Sequence, residues 1–497
     1  MMTKYLEKGY LYVLILILIG GFIFRLYRID NPVADWQSWR QADTSAVTRN
    51  FVEHGFDLLH PRMNNISNVQ SGLDNPQGYF FAEFPIYNAT SASLYLIFHG
   101  FTLEEWERIV TDFSSLIAAL FIYLLVKRHS NKKAALFSAA FYAFIPYDIY
   151  YGRVILPDPS MNMAILGGIY FFDLWIEERL KIKDKRLKII PKSLLFYILT
   201  IVFTALAFLL KPYSLFYLLP MAVLVYNKWK WKFFLKWQLW LFMIISVLPL
   251  VWWRTWMLQY PAGIPANAWL FNGNGIRFHP AFFRWIFYER ITKLISGYVG
   301  VIFLLVGSWS IWKDKKERLF FISFIVSSLA YLCTIATGNV QHDYYQIPIM
   351  PTVAMCMGLG AVWLVSLIQK RASIKLAYGI VIVGMLLSFY IGWQEIQPYF
   401  DIDNPSIIAA GKAVQELTAK NALIIANYNG DSAFLYQTDR QGWASYEHDL
   451  PTLNKMGAHY LVLANPTASD MVFAKDYKVL VHTSQYVIFD LNESSLK

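Results

Sequence analysis

Long apolar runs separated by short polar connections dominate the chain up to residue 393. They recur near 9–27, 104–126, 134–150, 159–177, 193–210, 213–227, 237–257, 296–312, 319–337, 346–368 and 376–393. A helix needs roughly 20 apolar residues to cross about 30 Å of hydrocarbon, so the pattern predicts about eleven spans. Arg25 and Arg28 follow the first run with no small-residue cleavage site, so that run reads as a span and not a signal peptide. The stretch 28–103 is polar by comparison. In it Asp35, Trp39, Asp43, Val47 and Phe51 recur at every fourth position, predicting an amphipathic helix over 36–54, with a second over 82–98. Carboxylates, guanidiniums and indoles mix along the first of these, a composition suited to a membrane interface.

Beyond residue 393 the pattern changes. A helix near 405–419 and strands at 422–427, 459–465, 477–482 and 486–491 predict a small α/β domain over 394–497. The chain thus divides into a transmembrane domain, 1–393, with a long first loop at 28–103, and this tail.

Composition agrees. Of the 497 residues 56% are hydrophobic and 16% charged, whereas a soluble chain carries roughly 25% charged residues. The net charge is +10, and its distribution gives the topology. Lys and Arg gather at 127–133, 179–192, 228–236, 313–318 and 370–375, on the same side as Lys4 and Lys8. That side is expected to be cytoplasmic. The N-terminus is then inside, and loop 28–103 and the tail are outside. From Glu395 onward there are seven Lys or Arg against twelve Asp or Glu, so the basic excess belongs to the membrane part and implies no nucleic acid. Cys333 and Cys356 both fall in predicted spans and read as small core residues.

Several charges sit at membrane depth on the outer side, where cations should be scarce: Arg153 and Asp158, Lys211, Arg254 and His342. Charges near hydrocarbon are costly unless paired or hydrated, which marks each as a functional candidate. Outward cations that converge suit the phosphate of a lipid carrier.

The segments WRQADTSAVTRNF (39–51), HGFDLLHPR (54–62), EFPIY (83–87), RVILPDP (153–159), LKP (210–212) and HDYYQIPIMP (342–351) carry a resemblance. Over residues 9–393 the chain resembles the GT-C superfamily of polyprenyl-phosphate-sugar glycosyltransferases, in particular bacterial relatives of protein O-mannosyltransferases and lipid A aminoarabinose transferases. The resemblance implies one acidic base in the first loop and an inverting attack of an acceptor hydroxyl on the sugar. Polyprenyl phosphate leaves without needing a general acid, and cations stabilise it. The expected fold is a polytopic α-helical membrane protein with a small extracytoplasmic α/β domain.

The sequence departs from that family at two places. Relatives often carry an Asp-Glu pair where this chain has Arg40 and Gln41, and a lysine where it has Glu83. Asp43 is therefore the expected base, with Asp35 as the alternative. Lys211, Arg153, His342 and Tyr345 are expected to meet the donor phosphate or sugar, and Asp158, Glu83 and Arg40 to support the site or the acceptor. Each also has a plainer reading. Asp43 could pair with Arg40 on a helix surface, Asp35 could cap the helix at Trp36, and Asp158 could open the following span. Lys211 could snorkel, and Arg153 could anchor at the interface. No spacing motif demands a cofactor, although Mg²⁺ or Mn²⁺ among Asp35, Asp43, Glu83 and Asp158 would suit carboxylates.

These readings point to a sugar transferase in a bacterial inner membrane. Its partners are a polyprenyl-phosphate sugar donor, membrane lipid and an envelope acceptor (lipid, glycan or protein). The alternatives are an oligosaccharide ligase or polymerase using a diphosphate donor, and a non-catalytic lipid-carrier transporter. A transporter predicts midplane charges and repeated halves, which the sequence lacks.

Overall fold

The computed structural model describes residues 2–181, 191–313 and 317–494. The basic stretches 182–190 and 314–316, part of the expected cytoplasmic charge, lie outside these. Among the described residues six helical stretches are long and apolar enough to cross a membrane: Lys8–Arg25, Leu103–His129, Lys192–Leu210, Trp237–Met257, Asp343–Ile368 and one starting at Ile374. A seventh would be Pro280–Ile295 joined to Gly300–Lys313, bent by 114°. The chain is a multi-pass membrane protein.

The eleven expected spans are mostly helical, but several are not intact crossings. Pro146 divides the expected span 134–150 into helices Lys132–Phe144 and Pro146–Tyr151, because its ring cannot continue the hydrogen-bond ladder. Pro212 likewise opens a 3₁₀ turn, Pro212–Tyr217, before the helix Leu218–Trp229. The expected 319–337 is a 17-residue helix, Arg318–Thr334, followed by the short Ala336–Gln341. The helix Asp158–Lys181 has the length to span but carries charges at both ends.

In the first loop a helix does form, Ser38–His54, preceded by Gln37 and not capped by Asp35. It is not the amphipathic surface helix expected. Of its 17 residues, Arg40 to Thr48, Asn50 and Phe51 are all buried. Polar contacts surround it because so many polar groups there are out of water. Ser45 and Thr48 donate to Glu107 on the helix Leu103–His129. Asn88, on the helix Ile86–Ile97, donates to the Thr44 carbonyl at 2.7 Å.

The tail folds as an α/β unit around five strands: β1 (Leu423–Ala426), β2 (Gly442–Trp443), β3 (Ala458–Ala464), β4 (Tyr477–His482) and β5 (Tyr486–Ser494). Their order is β2-β1-β3-β5-β4. β1 pairs in parallel with β2 and β3, whereas β5 runs antiparallel to β3 and β4. β2 was not foreseen, since two residues carry no periodicity. The helix Pro405–Leu417 starts at Asn404, whose side chain accepts from the Ser406 amide.

The first loop completes this sheet. Asn65 bridges Gly442 in parallel, with Ile66 N–H donating to the Gly442 carbonyl at 2.9 Å and Gly442 N–H to that of Asn64 at 3.0 Å. The β2 edge, otherwise a row of unpaired backbone groups, is thereby covered. Glycine is required at 442, because a Cβ there would lie 1.7 Å from the Ile424 carbonyl oxygen.

A second contact fastens the tail to the loop helix. Arg49 pairs with Glu104 at 3.3 Å and Asp439 at 3.1 Å, and its guanidinium stacks 3.7 Å from the centre of the Tyr436 ring. The Tyr436 hydroxyl reaches Glu104 and, at 2.8 Å, Ser45. Arg49→Ala strands Glu104 and uncovers the ring, a loss of about 1–3 kcal/mol for the docked tail. Limited trypsin digestion should then cut faster at Lys412 and Lys420 than in wild type while the membrane part survives. Unchanged cleavage would refute the contact's docking role.

Candidate active site

Where the loop helix, residues 80–83, the C-terminal end of Trp237–Met257 and the tail meet, they enclose a cavity of about 390 Å³. Its wall includes Arg40, Asp43, Gln70, Glu83, Lys211 and Arg254, with Trp39, Tyr213, Trp269, Tyr344 and Tyr345 supplying aromatic faces.

Asp43 faces the cavity with only 2% of its surface exposed. Its Oδ2 accepts from Gln70 Nε2 at 2.7 Å and its Oδ1 from Ser432 Oγ at 2.7 Å. Burial pushes its carboxyl up, against the lowering pull of Ser432, Arg40 and Gln70. The surface pair with Arg40 is therefore not its setting. Asp431, next to Ser432 in the tail, is likewise pushed up by burial, to about 6, with Asp43 among the groups raising it.

Glu83 occupies the centre of a charge network. Arg40 Nη2 grips its carboxylate at 2.7 and 2.8 Å, and Lys211 Nζ contacts the same group. Lys211 also lies 3.6 Å from Asp158 Oδ2. Burial opposes ionisation of Glu83, but Arg40 and Lys211 together outweigh it and hold the carboxyl down at about 2. Asp158 opens its helix as expected and turns a buried carboxylate toward Lys211. Arg254 reaches only the Ala82 carbonyl, at 3.4 Å, and the Met257 sulfur. It forms no ion pair among the described residues, so it is the cavity's least committed cation.

Of the remaining candidates, Asp35 and Arg153 lie away from the cavity, and His342 and Tyr345 belong to its aromatic side. Asp35 and Arg153 form their own pair at 3.1 Å, both fully buried, with Asp35 also accepting from Gln41 at 2.7 Å and the guanidinium 4.6 Å from the Phe400 ring centre. Neither borders the cavity, so the expected phosphate contact of Arg153 and the alternative base Asp35 do not fit this geometry. His342 packs against Trp39 and Tyr344, 5.6 Å from each ring centre. Burial holds its imidazole below the usual value, against the raising pull of Asp343. Tyr345 lines the wall as the sequence suggested.

Among the described residues no three of the expected carboxylates Asp35, Asp43, Glu83 and Asp158 come within metal-ligand distance of one another. The oxygens of Asp43 and Glu83 meet Gln70, Ser432, Arg40 and Lys211, Asp35 is tied to Gln41 and Arg153, and Asp158 lies 3.6 Å from Lys211. Among the described residues the one triad with metal-ligand spacing is Asp74, Glu447 and His448, at the junction of loop and tail.

Sequence reasoning missed Gln70 and Ser432. They lie 27 and 389 residues from Asp43, and an isolated Gln or Ser in a loop carries no signal of its own. Arg254 was legible only as a cation on the wrong side of the membrane.

No family model matches the sequence, and no curated protein does. Solved structures match over nearly the whole chain. ArnT from Cupriavidus metallidurans bound to undecaprenyl phosphate aligns with a TM-score of 0.66 at 11% identity, covering 97% of this chain and 98% of that one. The apo state of that protein gives 0.64 at 10% identity, covering 98% of both chains. The oligosaccharyltransferase AglB from Archaeoglobus fulgidus, in complex with an inhibitory peptide and a dolichol-phosphate, gives 0.59 at 11% identity, covering 97% of this chain and 74% of that one. The chain therefore has the fold that ArnT and AglB share, the GT-C fold its motifs led us to expect.

Proposed function

We propose that this protein is a membrane glycosyltransferase that moves a sugar from a polyprenyl-phosphate carrier to an envelope acceptor. The observation that carries this reading is one cavity walled by a buried, doubly hydrogen-bonded Asp43 and by three cations, Arg40, Lys211 and Arg254. The lipid phosphates bound by ArnT and AglB support the donor class. By the distribution of Lys and Arg, the cavity, the first loop and the tail 394–497 face the outside of a bacterial inner membrane, and the N-terminus faces the cytoplasm.

In this mechanism Asp43 takes the proton from an acceptor hydroxyl. The freed oxygen attacks the anomeric carbon from the face opposite the carrier, giving inversion. The carbon–oxygen bond to phosphate breaks, and its electrons leave with the polyprenyl phosphate. Lys211 and Arg254 stabilise the second negative charge gathering on that phosphate. The aromatic wall shields the sugar from water and supplies flat apolar faces.

Asp43→Asn keeps the size of the side chain but cannot accept a proton. Transfer of labelled sugar from polyprenyl phosphate to membrane acceptors should fall about 100-fold or more, with donor binding retained. Undiminished transfer would remove Asp43 as base. Since the base acts only when deprotonated, and burial raises its pKa, the rate should fall with decreasing pH through a limb above the ordinary aspartate value of 3.8. Arg254→Ala should raise the KM for the donor about 10-fold or more, the worth of one charged hydrogen bond, with a smaller effect on acceptor KM. An effect confined to acceptor KM would assign Arg254 to the other substrate.

A further inference from the structure

The tail reaches into the cavity at one place, the turn 428–432. Asn429 and Gly430 both have positive φ, 54° and 84°. The turn is pinned by Tyr428 and Gly430 amides donating to the Ala444 carbonyl at 3.0 and 3.1 Å, next to β2. Asp431 N–H closes it on the Tyr428 carbonyl at 2.9 Å, and the Asp431 carboxylate accepts from the Ala433 amide at 2.7 Å. Ser432, 6% exposed, has two acceptors within reach of its hydroxyl, Asp43 Oδ1 at 2.7 Å and the Trp39 carbonyl at 3.1 Å, and the carboxylate is the nearer.

The second donor to Asp43 is set by the same turn. A Cβ on Gly430 would lie 3.1 Å from Val69 Cγ1, so the turn packs directly against the residue before Gln70. The first loop and the tail therefore deliver one hydrogen bond each to opposite oxygens of Asp43, and their mutual contact fixes both.

We infer that Ser432 is a positioning residue for the base, so that the C-terminal domain completes the catalytic site and is not only an appended module. The inference rests on Asp43 being that base. Two donors on separate oxygens fix the plane of the carboxylate and stabilise its ionised form, which burial alone would disfavour. Other charges face Asp43 as well: Arg40 from its own helix, Glu83 from the first loop and Asp431 from the tail, with Lys211 across the cavity. Of the contacts made by the tail, only the Ser432 hydroxyl favours the charged carboxylate.

The test is the pH dependence of sugar transfer by the full-length protein in lipid, comparing wild type, Ser432→Ala and Ser432→Thr. Loss of the hydroxyl removes a stabiliser of the carboxylate, so the acid limb of kcat in Ser432→Ala should move up by about one pH unit. At the foot of the limb that is about a tenfold lower rate, with donor KM unchanged. Ser432→Thr, which keeps a hydroxyl, should restore the wild-type limb. A lower plateau with the limb unmoved would mean a merely structural role and would overturn the inference. If Ser432→Ala does not accumulate in the membrane, Ser432→Cys, a weaker donor, should still shift the limb; an unshifted limb there overturns it equally. Full activity of Asp43→Asn would instead defeat the base reading itself, an outcome distinct from either.

Discussion

Charges taken out of water must find partners, and around this cavity that requirement dictates the arrangement. Arg40, Glu83, Lys211 and Asp158 come from the loop helix, the segment before Ile86–Ile97, the end of one apolar helix and the start of another. None is tolerable alone in such a setting, since a stranded buried charge costs about 3–5 kcal/mol. Neutralised together, they fix the relative positions of four elements that share no continuous sequence. The cluster is thus a joint between elements, with Arg40 and Lys211 held in place by carboxylates from two of them.

Much of the architecture was legible in the sequence. Apolar runs and basic connections gave a polytopic helical chain with an α/β tail, and the quoted motifs led to the fold found. The limits were physical. Pro146 breaks a span, 134–150, that hydropathy alone runs straight through, and the span expected from 213 begins instead as the 3₁₀ turn Pro212–Tyr217. The period of four in Asp35 to Phe51 suggested one wet face, but the helix is enclosed all round, because its polar residues meet buried partners and not solvent. Around the cavity, Asp43, Glu83, Lys211, Asp158 and Tyr345 were foreseen and stand together, His342 packs behind the aromatic wall, and Arg153 and Asp35 pair with each other away from it. Spacing places a charge at an interface but cannot tell a charge that faces a cavity from one that faces another charge. The two departures from the family pattern, Arg40 and Glu83, were noticed separately; they are the two halves of one bidentate contact.

The pairing of loop residues 64–66 with Gly442 also bears on how the chain is made. These partners are about 376 residues apart, and a chain grows at about 5–20 residues per second. Loop residues 64–66 are therefore made some tens of seconds before β2, the strand they pair with, exists. The cavity, walled by the first loop and the tail together, is consequently among the last parts of the chain to form.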